Sequence, residues 1–218
     1  MSAFATAPPA AGRLDILHAD DDIVALAKPT GLLSVPGKSP DLADCVEARV
    51  RAAYPSATMV HRLDMATSGV MVAALNRAAH RHLGLQFERR HVKKTYVARV
   101  CGAIGRETGT VDLPLRCDWP NRPKQMVDHE RGRPATTHWR VLARETKATR
   151  VELSPVTGRS HQLRVHMAEL GHPILGDEFY APPPARQAAD RLHLHAERLA
   201  FFHPADGRWC EFSVPCPF

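Results

Sequence analysis

Hydrophobic positions fall in short blocks along this chain, and the spacing within each block predicts an element. Between Leu14 and Ala27 two brief apolar stretches flank His18-Ala19-Asp20-Asp21-Asp22, the pattern of two strands around a polar turn. Lys28-Pro29-Thr30-Gly31 then punctuates the chain. Asp41 is placed to cap a helix whose apolar face is Leu42, Cys45, Val46 and Val50, and Tyr54-Pro55 ends it. From Gly69 to Leu75 the chain is continuously apolar over the length of one buried strand, and Asn76 is a suitable N-cap for a second helix reaching about Arg90.

The second half is strand-rich. Thr95–Cys101, Thr110–Leu115, Thr137–Ala143, Thr149–Leu153, Leu192–Phe202 and Trp209–Val214 combine β-branched or aromatic residues with turn signals between them. Ser160–Leu170 is the exception, since Gly158 before it and Gly171 after it bracket a helix. Many strands with few helices predict an α+β fold built on a mainly antiparallel sheet with flanking helices, rather than a βαβ wind. Residues 1–12 are Ala/Pro-rich and aperiodic, which predicts a flexible tail, and residues 13–218 then read as one domain without internal repeats. Pro182-Pro183-Pro184 reads as a surface loop.

Composition narrows the class. With 44% hydrophobic and 24% charged residues, the 218-residue chain is neither disordered, collagenous nor a disulfide scaffold. No apolar run nears the roughly 20 residues that cross a bilayer, and no basic and apolar leader opens the chain, so a cytoplasmic protein without a membrane partner is expected. Five cysteines without a C-x-x-C pair read as reduced thiols. The net charge of +6 leans towards a polyanionic partner.

Two clusters carry unusual polar residues. His61-Arg62-Leu63-Asp64-Met65-Ala66-Thr67-Ser68-Gly69 runs straight into the predicted buried strand, with Asp64 as its carboxylate. Taken alone, an Asp between apolar neighbours beside a Thr-Ser-Gly turn is most often a turn or capping acceptor, and Arg62 is usually a solvated or ion-paired arginine. The second cluster is Gly158-Arg159-Ser160-His161-Gln162-Leu163-Arg164-Val165-His166. On the expected helix Ser160 and Arg164 share a face, and Arg159 sits at the N-terminal end, where the dipole favours an anion. An amphipathic helix with a charged outer face accounts for the same pattern. The histidine pairs 80/82, 161/166 and 193/195 form no H-E-x-x-H, and no phosphate-binding or nucleophile-elbow glycine motif is present, so no metal is expected.

His61-Arg62-Leu63-Asp64 with Thr67-Ser68-Gly69 resembles the central motif of the RluA-type pseudouridine synthases. Lys28-Pro29-Thr30-Gly31-Leu32, Lys94-Thr95-Tyr96-Val97-Ala98, Gly158–Met167 and Gly171-His172-Pro173-Ile174-Leu175-Gly176-Asp177 resemble further segments of that family in the same order. The likeness spans most of the chain. Asp118-Trp119-Pro120-Asn121-Arg122-Pro123-Lys124-Gln125 is similar to the RluA subgroup, whose substrates are a 23S rRNA loop and a tRNA anticodon arm. The short N-terminal segment leaves no S4-like RNA-binding domain in this reading.

The resemblance implies a pseudouridine synthase catalytic fold with a bent sheet and no cofactor. It implies Asp64 as the essential aspartate, Tyr96 as the ring that stacks on the target base, and Arg164 as the basic partner of Asp64. Leu163 becomes the apolar residue beside the base, and Arg62 the side chain that replaces the flipped nucleotide. His61, Arg159, Arg122 and Lys124 join the RNA-binding set, the partners are 23S rRNA and tRNA stem-loops, and a monomer is expected. Helical spacing, placing Arg164 one turn into its helix, favours the pair with Asp64 over a phosphate grip. Two rival classes remain: a non-catalytic RNA-binding protein on the same fold, and a metal-dependent hydrolase built on the histidines.

Overall fold

The computed structural model describes residues 14–218, so the expected tail over residues 1–12 lies outside the described residues. These form two compact units, one holding the chain through Lys94 together with Ala196–Pro217, the other Thr95–His195 with Phe218. In chain order the first unit begins with β1 (Asp15–Ala19), β2 (Ile23–Lys28), α1 (Val46–Ala53), β3 (Thr58–Met59), β4 (Ser68–Ala74) and α2 (Arg77–Glu88). The second contains most of β5 (Lys93–Cys101), then β6 (Thr108–Asp112), β7 (Leu115–Cys117), β8 (Gln125–Val127), β9 (Thr136–Arg144), β10 (Ala148–Pro155), α3 (Gln162–Glu169) and α4 (Pro183–Gln187). Strand β11 (Leu194–Phe202) leads the chain back to the first unit, which ends with β12 (Trp209–Ser213).

In the first unit the strand order is β1-β2-β4-β11, with β3 also on β4 and β12 on β11. Pairing of β2 with β4 is antiparallel from Ile23↔Ala74 to Lys28↔Gly69. Every residue of β4 is buried, because β2 and β11 flank it and α2 lays Ala79 and Leu83 on the same core as Ile23, Val70, Val72 and Phe201. Each such Val, Ile, Leu or Phe contributes about 1.5–3 kcal/mol when fully buried. Asn76 caps α2 as its sequence position predicts, its side chain accepting from Ala79 N at 2.9 Å. Helix α1 starts later than its apolar spacing suggests. Pro40 opens a single 3-10 turn instead, Leu42 is exposed, and Cys45 takes an extended backbone that bridges to Leu33 and caps α1 with its Sγ.

The second unit holds the antiparallel order β5-β10-β9-β6, with β7 and β8 as a separate hairpin. Pro182 is the N-cap of the short helix α4 rather than part of a loop, since proline in a first turn sacrifices no intrahelical hydrogen bond. The architecture is α+β and mainly antiparallel. Among the described residues no helix is long and apolar enough to cross a membrane.

Candidate active site

The β2–β4 register decides the setting of Asp64. Because Lys28 ends β2 beside Gly69 near the start of β4, the segment leaving β2 and the segment entering β4 run next to each other. Their backbone groups are bound in turn. Ser34 Oγ donates to Leu63 O at 2.6 Å and accepts from Leu63 N at 3.0 Å. Lys28, only 2% exposed, donates through Nζ to Met65 O at 2.9 Å and Pro29 O at 2.8 Å. Gly31 N adds a bond to Met65 O at 2.9 Å, and Thr30 Oγ1 donates to Ala66 O at 2.7 Å. Thr67 N closes the turn onto Asp64 O at 3.0 Å. Every carbonyl from Leu63 to Ala66 therefore has a donor, which fixes the half-buried Asp64 on a rigid turn. Gly69 completes the turn into β4 at φ +121°, where a Cβ would collide with the carbonyl of Ala196.

His61 is held inside this unit. Its Nε2 accepts from Val72 N at 3.0 Å, and its ring stacks on Phe87 with centroids 4.8 Å apart. Burial, with a smaller effect of the Lys94 charge, pushes its pKa down to about 3. The ring is thus neutral and carries its proton on Nδ1, a shape suited to supporting the motif from behind. Arg62, next in sequence, is exposed. Lys94 is itself pushed down to about 8, by burial first and by Arg90 second.

In the second unit, α3 is buried on almost every side, from Gln162 through Met167. Of the two readings of this segment, the helix with a charged, solvated outer face is not what forms. Its polar residues are satisfied internally: Gln162 Nε2 donates to Thr136 O and Thr137 Oγ1, both at 3.0 Å, while its Oε1 accepts from Thr157 Oγ1 at 2.7 Å and Arg159 N at 3.0 Å. His166 bridges Thr137 Oγ1 at 2.9 Å and Leu113 O at 3.1 Å. The helix begins at Gln162, with Ser160 outside it and His161 in the left-handed region at φ 53°. Arg164 consequently sits in the first turn, not one turn in, so helical spacing does not separate its two possible roles.

Arg164 has a partner that sequence spacing did not reveal. Its Nε and Nη2 donate to Asp177 Oδ2 and Oδ1 at 2.8 and 2.7 Å, with side chains 4% and 0% exposed. Asp177 Oδ1 also accepts from Phe179 N at 2.9 Å and Tyr180 N at 3.2 Å. The guanidinium carbon lies 5.0 Å from the Phe179 ring centroid and 5.3 Å from that of Tyr180. Bidentate pairing to a carboxylate plus two rings fixes the plane of the fork. The only sequence signal for Asp177 was an acidic residue directly behind Ile174-Leu175-Gly176.

Leu163 is buried beside Arg164 on α3, and Tyr96 stands half-buried on β5 opposite Leu153 of β10. Arg159 precedes α3, and its Nε donates to Pro134 O at 3.2 Å. Arg122 and Lys124 lie together on the β7–β8 connection, Arg122 exposed and Lys124 half-buried. The structure thus groups His61, Arg62 and Asp64 in the first unit, and Tyr96, Leu163, Arg164, Arg159, Arg122 and Lys124 in the second. Among the described residues no group of three or more His, Cys, Asp or Glu converges on a metal position.

A family model described as RNA pseudouridylate synthase matches residues 22–169. The dual-specificity RNA pseudouridine synthase RluA of Yersinia pestis is 54% identical over 204 residues, spanning 93% of this chain and 99% of that protein. Its namesake from Escherichia coli (strain K12) is 56% identical over 212 residues, 97% of each. Among solved structures, human RNA pseudouridylate synthase domain containing 1 aligns with a TM-score of 0.81 at 30% identity, covering 98% of this chain and 87% of that one.

Proposed function

The chain belongs to the RNA pseudouridylate synthase family, and from that premise we propose that it isomerises uridine in two RNAs, a 23S rRNA loop and a tRNA anticodon arm, acting as a cytoplasmic monomer without metal or cofactor. The observation that carries the double substrate is the near full-length identity to relatives named as dual-specificity enzymes.

The reaction breaks the N1–C1′ glycosidic bond, turns the uracil, and joins C5 to C1′; the C5 proton leaves and N1 gains one, so nothing is oxidised or transferred from outside. Its chief requirement is a positioned carboxylate acting as nucleophile or base, the role assigned to Asp64. The clamp from Ser34, Lys28, Thr30 and Gly31 supports this assignment, because catalytic groups need tight placement. Arg164 is assigned as the partner that keeps Asp64 ionised. Asp177 holds the Nε and Nη2 edge of the fork, and a fork fixed in plane presents its Nη1 end in one direction.

A nucleotide in a stacked loop must be extruded before it reacts, at a cost of a few kcal/mol. Tyr96 offers the extruded base a stacking face worth about 1–3 kcal/mol, and Leu163 offers it an apolar wall. Arg62, exposed and next to the fixed turn, is assigned to the gap left in the RNA. Arg159, Arg122 and Lys124 are assigned to phosphates. His61 is better read as a support than as a substrate contact, since Val72 and Phe87 already engage its Nε2 and its ring face.

The test is incubation with total RNA from cells lacking this protein, followed by carbodiimide mapping. New pseudouridines in both a 23S rRNA loop and tRNA anticodon arms are expected. Modification of only one of these RNAs overturns the double specificity, and modification of neither overturns the whole reading.

A further inference from the structure

Trp119 is the most exposed large apolar side chain among the described residues, at 64%. It sits on the connection between β7 and β8, in a single 3-10 turn that buries none of its residues. An indole left in water contributes little to folding, yet the loop around it is tightly built. Asp118 N bonds Lys124 O at 3.0 Å, Asn121 N bonds Asp118 O at 3.0 Å, Lys124 N bonds Asn121 O at 3.1 Å, and Asn121 Nδ2 donates to Asp118 Oδ2 at 2.9 Å. A mobile hydrophobic tip would not need these bonds. They fix the backbone that carries the ring.

Arg122 lies over that ring, its guanidinium carbon 4.6 Å from the centroid. A guanidinium over an indole face forms a composite surface, aromatic on one part and cationic on the other. Lys124 adds charge on the same loop, Arg131 and Arg133 follow β8 in the sequence, and the loop's Asp118 is engaged with Asn121. The loop is also registered on α3: Tyr180 Oη accepts from Gln125 N at 2.8 Å and bonds His161 Nδ1 at 2.7 Å, and Tyr180 N is held by Asp177, the partner of Arg164. The β8 end of the loop that carries Trp119 is thereby tied, through Tyr180 and Asp177, to the same group of bonds that holds Arg164.

We infer that Trp119, backed by Arg122, is a second base-stacking platform that receives an unpaired nucleobase of the RNA outside the reaction pocket. The occupant is an RNA base because the aromatic face is accompanied by cations suited to the flanking phosphates, and sequence-tolerant stacking is how such faces hold unpaired bases. This rests on the proposed RNA-modifying function and adds to it a contact remote from the isomerised uridine. It sets where a loop is gripped without taking part in the chemistry.

The experiment uses the full chain and a fluorescein-labelled anticodon-arm stem-loop RNA, with affinity read by anisotropy and chemistry by single-turnover rate at saturating RNA. Trp119→Ala and Trp119→Leu are expected to weaken binding by about 5- to 150-fold, the range for loss of one stacked base, with the saturated rate and the salt slope unchanged. Trp119→Phe should retain most of the affinity, and Arg122→Gln should make the log–log salt slope shallower by about one unit. Trp119→Ala within twofold of wild type, Trp119→Leu binding as well as wild type, or a lost rate at unchanged affinity each overturns the platform alone. Wild-type protein that neither binds nor modifies this RNA or the 23S rRNA loop overturns the functional reading as well.

Discussion

Replacing Asp177 with Asn tests whether Arg164 depends on its hidden partner. The carboxylate is 0% exposed and accepts four hydrogen bonds, two from the Arg164 fork and two from the amides of Phe179 and Tyr180. Asn keeps the shape and one acceptor oxygen, but turns an NH2 group towards donors and removes the Asp177 charge from the buried guanidinium. Breaking a buried pair in this way costs about 3–5 kcal/mol, and the retained oxygen places this case near 3 kcal/mol. For a chain of this size each kcal/mol lowers Tm by about 2–4 °C, so a drop of roughly 6–12 °C is expected. Stability of about 5–15 kcal/mol leaves the variant folded at 25 °C, where its kinetics are measured. There the single-turnover rate should fall at least about tenfold with little change in RNA affinity, because a loosened fork no longer holds its catalytic geometry. Thermal unfolding within about 2 °C of wild type refutes the reasoning.

Ser34→Ala removes both hydrogen bonds to Leu63 and leaves two buried backbone groups unmatched, so a loss of about 2 kcal/mol or more is expected by chemical unfolding, together with a slower single turnover from a looser Asp64 turn. His61 titrates near 6.5 in an unfolded chain and at about 3 when folded, so its contribution is complete above pH 6.5 and is lost at up to about 1.4 kcal/mol per pH unit as pH falls towards 3; urea unfolding of wild type and His61→Gln should show their difference shrinking over that window. Tyr96→Phe should keep RNA affinity, whereas Tyr96→Leu should lose productive base placement and raise KM; two variants both indistinguishable from wild type would place Tyr96 outside the pocket.

What the sequence pattern revealed follows the range of the interactions. β4 and α2 were legible because an apolar run of strand length leads directly into an Asn whose cap is three residues long. The start of α1 was not, since Leu42 keeps helical spacing while Cys45 is drawn into extended backbone by its bridge to Leu33. α3 misled in the other direction: Gln162, Arg164 and His166 look like an outer polar face, but each is buried against a partner on another element. The Asp64 segment announced itself as a dense motif. Ser34 and Asp177 did not, because each acts across 29 and 13 residues through strand register and loop packing that no local spacing encodes.

The central claim is that Asp64, held on its clamped turn, performs the isomerisation. Single-turnover release of tritium from a stem-loop RNA labelled at uridine C5 measures it directly, since that hydrogen leaves only when C5 bonds to the ribose. Wild-type protein should release it stoichiometrically with the modified site, and Asp64→Asn should bind the same RNA within about threefold and release none above background. Tritium release by Asp64→Asn at the wild-type rate would contradict the account.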